Sequence, residues 1–157
     1  MGKTTALRQE ITRVFIPRAQ KAGFDLDRKN SPVFIEFRRI DGDIVHLFDI
    51  QWEKYGRPRF VVNFGTCPAA GMETGGKHYP PSEVSAGWTP VRGRLQPGRG
   101  STTSNWFCQD RPLWRRLFGK NLRSPAEVVS LLIKLFEELE TFWKTGAVGP
   151  HLRIYPS

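Results

Sequence analysis

The sequence predicts an α+β fold: an N-terminal helix, an antiparallel sheet of four or five strands, and a long C-terminal helix packed on one sheet face. Three observations carry this. Apolar residues recur at three- and four-residue steps near each end, alternate with period two over residues 33–64, and are punctuated by turn signals between the strands. At 157 residues the chain fits one domain, 1–157, with its core over about 5–146. A chain of this length buries roughly 70% of its unfolded surface, enough to fold without disulfide or metal.

In residues 3–22, Leu7, Ile11, Val14, Phe15 and Ala22 form a helical stripe, and Pro17 predicts a kink or a break into two short helices. Gly23 supplies the stop, and Phe24 folds back. "PVFIEFRRI" follows as a strand, with Val33, Ile35 and Phe37 on one face and Phe34, Glu36 and Arg38 on the other. Asp41-Gly42 reads as a two-residue turn with positive φ at both central positions. "IVHLFDIQW" returns with Ile44, His46, Phe48, Ile50 and Trp52 on one face, and "RFVVNFGTC" completes a meander. Residues 68–87, dense in Gly, Pro and Ser, read as a long loop. "WTPVRGRL" and "SNWFCQD" are the fourth and fifth strands. Ser124, Pro125 and Glu127 open the last helix with a capping box and an N1 proline; Gly146 closes it, leaving 147–157 as a tail.

The net charge of +9 is unevenly placed: +3 over residues 1–91, +7 over 92–123 and −1 over 124–157. The middle segment holds Arg92, Arg94, Arg99, Arg111, Arg115, Arg116, Lys120 and Arg123 against Asp110 alone. Trp88, Trp106, Phe107, Trp114 and Phe118 are interleaved with these bases. Arginine among aromatics suits a protein interface anchored by a few residues, or phosphates with stacked bases. It also suits a solvated face above inward-packed rings.

Signals for catalysis are weaker. "GKTT" at residues 2–5 has neither the earlier glycine nor the preceding strand of a phosphate loop. His46, His78 and His151 are scattered, without metal-ligand spacing, and no metal or cofactor is expected. Cys67 and Cys108 read as reduced, packed thiols. An enzyme would need a concave pocket gathering His46, Asp49, Gln51, Asn63 or His78. The N-terminus lacks the apolar run of a secretory signal, and no stretch approaches the ~18 apolar residues of a membrane span, so a cytoplasmic protein is expected.

The order "FIPRAQKAGF", strands, "FDIQWEKYGRPRFVVNFGT", "GRLQP" and "NWF" resembles the bacterial family catalogued as domain of unknown function 4304. Pro17, Gly23, Phe24, Phe48, Gln51, Phe60, Asn63, Gly65, Arg94, Leu95 and Trp106 occupy matching places, over about residues 10–140. "FDIQ" departs from the family's "NFQ"-like strand at its polar position, and Phe107 stands for the second residue of a tryptophan pair. The resemblance implies an α+β domain and carries no catalytic residue.

The function expected is therefore non-enzymatic binding of an acidic protein partner, immunity- or regulator-like, through Arg92, Arg94, Arg99, Arg111, Trp114, Arg115, Arg116, Lys120 and Arg123. Nucleic-acid binding through the same segment and an enzyme with a polar sheet pocket are the alternatives. Charge reversal of Arg115 and Arg116 to Glu is expected to weaken a stoichiometric complex without unfolding the domain. Nucleic-acid binding would instead show, in a salt titration, a log–log slope near −0.9 per phosphate contacted on duplex DNA.

Overall fold

The computed structural model describes residues 4–27, 31–110 and 122–156. Helix α1 (Thr5–Glu10) passes through a π-turn (Ile11–Phe15) into α2 (Ile16–Lys21). The run is divided into two short α-helices, one of the two outcomes expected from Pro17, but the division is a π-turn and the helical hydrogen bonding continues through it. Proline cannot donate to the carbonyl four residues back, and the π-turn absorbs that defect by shifting the preceding bond, so that Ile16 N–H donates to the Ile11 carbonyl. Gly23, at φ +94°, ends the run; its N–H donates to the Gln20 carbonyl and that of Phe24 to Ala19. That pair of bonds is a Schellman cap, which turns Phe24 back onto the core.

Strands β1 (Asp25–Asp27), β2 (Phe34–Asp41), β3 (Ile44–Trp52) and β4 (Arg59–Pro68) run antiparallel in sequence order. The β2–β3 turn centres on Gly42 and Asp43, and only Gly42 has positive φ. This corrects the expected turn by one residue: positive φ at the first central position alone is the type II′ pattern, which glycine fills without strain. The segment 68–87 is more ordered than a loop. It contains the hairpin β5 (Met72–Thr74) and β6 (Lys77–Tyr79) and two single 3-10 turns, Pro81–Glu83 and Ala86–Trp88. Strand β7 (Val91–Leu95) then pairs with β4, and β8 (Phe107–Cys108) pairs with the start of β4. Helix α3 (Pro125–Thr145) has the predicted caps: Ser124 Oγ accepts from Glu127 N–H, and Gly146 is left-handed. Residues 152–155, expected in a tail, form β9 (Leu152–Tyr155) against β7. The main sheet therefore runs β1-β2-β3-β4-β7-β9, with β8 beside β4, which exceeds the four or five strands expected.

Alternation gives the sheet two unlike faces. On one, Phe37, Phe48, Ile50, Phe60, Val62, Phe64 and Leu95 meet Leu7, Ile11 and Phe15 from the first helical run and Leu132, Phe136 and Leu139 from α3. Phe48 stacks on Phe37 at 4.4 Å and meets the edges of Phe24 at 4.9 Å and Phe136 at 5.0 Å. On the other face no helix lies among the described residues. Val45, Leu47 and Cys67 are instead covered by Val84, between the two 3-10 turns, and by Ala86 of the second turn.

Two glycines permit this layering. A Cβ on Gly65 would land on Thr89 Oγ1 and the Ala86 carbonyl, so the turn carrying Trp88 docks only because residue 65 has no side chain. Gly93 is similarly closed by the Arg153 carbonyl and the Phe64 ring. Cutting Phe48 to Ala is expected to cost about 3–5 kcal/mol in urea unfolding, since the rings of Phe15, Phe24, Phe37 and Phe136 that it touches are also held by other contacts and can close the cavity only in part. Tyr55→Ala, at a turn where the side chain is 77% exposed, should stay within about 0.5 kcal/mol in the same assay.

Candidate functional site

The helix-free face carries a polar row in direct register. Asp27 pairs with Glu36, Glu36 with Asp49, Asp49 with Asn63, Asn63 with Arg94, and Arg94 with Arg153. Directly paired residues put their Cβ atoms on the same face about 4.5–5.5 Å apart. The row therefore crosses six strands, acidic at the β1–β3 end and basic at the β7–β9 end.

Its centre is a hydrogen-bonded relay. Asn63 Nδ2 donates to Asp49 Oδ1 at 2.8 Å and to Gln51 Oε1 at 3.0 Å, while Asn63 Oδ1 accepts from Arg94 Nε at 3.3 Å. Both amide hydrogens are thereby used, which fixes the orientation of the carboxamide. Ser85 Oγ donates to Glu36 Oε1 at 3.0 Å. Around these groups lies a cleft of about 430 Å³, lined by Glu36, Asp49, Gln51 and Asn63 below and by Phe34 and Trp88 at its rim. Phe34 and Trp88 are 39% and 56% exposed, in contrast to the buried rings of the opposite face.

Asp49 is only 4% exposed, because its strand is central and its neighbours Phe48 and Ile50 belong to the core. Burial raises its carboxyl from the ordinary 3.8 to about 7; the Asn63 hydrogen bond opposes the rise, Glu36 adds to it and Arg94 reduces it.

The sequence-predicted pocket is thus assembled in part. Asp49, Gln51 and Asn63 meet, and Arg94 of the basic segment joins them. His46 is on the opposite face, stacked on Trp143 at 4.7 Å, with Nδ1 3.0 Å from Arg39 Nη2. Burial, with Arg39 adding to it, lowers its pKa, so the ring is neutral and accepts from Arg39. A cleft of about 550 Å³ opens beside it. There Arg39 is committed to both carboxylate oxygens of Glu140, at 2.8 and 2.9 Å, and to the Ala22 carbonyl. His78 lies on the β5–β6 hairpin, bonded to Glu73 at 2.7 Å, outside the sheet cleft.

Of the basic set, Arg92 donates to the Thr89 carbonyl, Arg94 also donates to that of Thr102, Arg99 is exposed beyond β7, and Arg123 is half-buried before α3. Arg111, Trp114, Arg115, Arg116 and Lys120 lie outside the described residues. Cys67 and Cys108 are free, and burial raises both thiols, contrary to what a nucleophile requires. Among the described residues no group of three or more His, Cys, Asp or Glu could hold a metal ion, and no helix is long and apolar enough to cross a membrane. Glu36 was legible from the alternation of β2. Ser85 and Trp88 reach the cleft from a stretch whose composition signals only a loop.

The model of the family described as a domain of unknown function, DUF4304, matches residues 16–134. The chain belongs to the DUF4304 family. The DUF4304 match takes in β1 through β8, and with them the cleft, the relay and the turn that carries Trp88; β9 lies beyond it. No curated protein and no solved structure matches the chain.

Ionising Asp49 strains this fold, and the sign of the effect is specific. A carboxyl whose folded pKa is raised leaves stability intact below about pH 4 and removes it as pH climbs towards 7. At about 1.4 kcal/mol per pH unit, the loss is on the order of 4 kcal/mol by pH 8. Asp49→Asn should therefore unfold at higher denaturant than wild type at pH 8, and at nearly the same denaturant at pH 4. A urea series over that range measures the difference directly.

Proposed function

We propose that the protein is a non-enzymatic, cytoplasmic binding module, immunity- or regulator-like, which holds a polypeptide partner against the helix-free face of its sheet. The observation that carries this reading is the graded row from Asp27 to Arg153 on that face. An antiparallel sheet in a two-layer fold packs one face on its core and commonly leaves the other to water, as alternating polar side chains. Here apolar cover by the 3-10 turns reaches Val45, Leu47 and Cys67, while the relay and two exposed aromatic rings remain in a cleft. Acidic residues of the partner would lie over Arg92, Arg94 and Arg153, and the aromatic rim would serve as anchor.

The other readings have less support. A polyanion lying along the row would have to cross Glu36 and Asp49 as well as the arginines at its other end. Among the described residues acid–base chemistry would rest on Glu36 and Asp49, since His46 and His78 lie away from the cleft.

Affinity capture from the native cell with three baits tests the reading. Wild type and Arg18→Glu, changed on the helix side, should recover the same protein in stoichiometric amount after nuclease treatment. A Trp88→Ala/Arg94→Glu bait should lose it while keeping its circular dichroism spectrum. Equal recovery by all three baits, or recovery abolished by nuclease, would overturn the proposal.

A further inference from the structure

We infer that the partner joins the sheet as an added strand along the outer edge of β9, with an acidic residue set opposite Arg153. This rests on the binding reading above and names how the partner engages the sheet and by what sequence pattern. β9 is the last strand of the main sheet, and among the described residues no strand lies beyond it. Gln96 N–H donates to the His151 carbonyl at 2.9 Å, one step beyond the pairs Leu95–Leu152 and Arg94–Arg153. Hydrogen-bonded pairs alternate along an antiparallel ladder. Residues 151, 153 and 155 therefore turn their backbone groups to β7, and Leu152 and Ile154 turn theirs outward. The Leu152 N–H is taken by the Gly149 carbonyl. An incoming strand would thus bond the N–H and carbonyl of Ile154 and the carbonyl of Leu152.

The edge is already in place for a partner. Glu138 of α3 accepts from the backbone N–H of His151 at 3.0 Å and also bonds its ring Nδ1, which fixes the approach to β9. On the inner side, the absence of a side chain at Gly93 lets β7 come close to the Arg153 carbonyl. A preformed edge lowers the ordering cost that binding otherwise carries.

Charge selects what fits there. Arg153 is exposed, is paired with Arg94 on the helix-free face, and has no hydrogen bond or ion pair among the described residues. All fifteen Asp and Glu of the chain fall within the described residues, and Glu138, which reaches this segment, is committed to His151. No Asp or Glu therefore ion-pairs with Arg153, and like charges set directly opposite, as Arg94 and Arg153 are, repel. A strand outside β9 puts one side chain opposite Arg153 on the same face. A carboxylate there relieves the repulsion, and a lysine or arginine adds to it. The two flanking residues of that strand fall opposite Leu152 and Ile154, which lie in or against the core, so they are apolar. The pattern that fits is apolar–acidic–apolar. A second β9 fits poorly, because it brings its own Arg153 to the edge.

The test adds the peptide acetyl-TVEVT-amide to the full chain, alongside TVQVT and TVKVT in the same capped form. The backbone amide signals of Arg153 and Ile154 are followed by NMR. The glutamate peptide should shift both and slow hydrogen exchange at Ile154, binding about fivefold more tightly than the glutamine peptide, with the lysine peptide weakest. N-methylation of its three central residues, which removes the strand-pairing donors, should abolish the shifts. Arg153→Glu should invert the order of the glutamate and lysine peptides, a gain that unfolding cannot mimic. No shift at Ile154, equal binding of the three peptides, or shifts that survive N-methylation would overturn the inference. So would self-association of the chain alone in sedimentation that Arg153→Glu removes, since a second copy would then be the occupant. An Arg153→Glu bait that still recovers a partner lost by the Trp88→Ala/Arg94→Glu bait would sink the inference and leave the binding reading standing. Strand addition at β9 with no partner captured by any bait would do the reverse.

Discussion

The two-residue period of β3 is the constraint from which the rest follows. Phe48, Ile50 and Trp52 must face the helices, because the aromatic cluster that joins Phe15, Phe24, Phe37 and Phe136 is built around Phe48. That requirement forces Asp49 and Gln51 to the other side. A slip of one residue would put a carboxyl among phenylalanines and Phe48 into the cleft. The register that builds the core therefore also assembles the polar relay, and neither can be moved without the other. Asp49 is buried because it is flanked by core residues in a central strand, so its raised pKa is a consequence of where the core had to be.

Net charge alone misdescribes the surface. Several cations are spent inside the structure: Arg39 joins Glu140, His46 and the Phe24 ring; Arg38 fastens the Pro81–Glu83 turn to β2; Arg59 lies over Trp106. These arginines act as struts, their stems on apolar surface and their guanidinium groups on carbonyls or carboxylates. A basic chain can for that reason carry a polar row with an acidic end, and the sign of a binding site has to be read residue by residue.

Local features of the sequence were legible where local physics decides them. The alternation in residues 33–64 gave the three central strands and their faces, and Ser124, Pro125 and Glu127 gave the start of α3. Features that depend on distant partners were not. The side chain of His46 shares a face with the core residues of β3, and nothing nearby in sequence signals Arg39, Glu140 and Trp143 around it. The 3-10 turns near Ser85 exist because Arg38 binds their carbonyls and Gly65 leaves room beneath them, neither of which is visible in a glycine- and proline-rich stretch. Residues 152–155 are short and weakly patterned, and become a strand only because β7 offers an unpaired edge.

That last pairing gives the fold a timetable. During synthesis the meander β2–β3–β4 can close as soon as it is made, since its strands are joined by short turns. Strand β7 can dock on β4 soon after, but its outer edge waits until residues 152–155 have left the ribosome, several seconds at about 5–20 residues per second. Through that interval Val91–Leu95 presents unpaired backbone groups, with Arg92 and Arg94 on one side of the strand. Positive charge on a waiting edge repels a second copy of itself, so the arginines that end the polar row also guard a nascent chain against pairing with its neighbour.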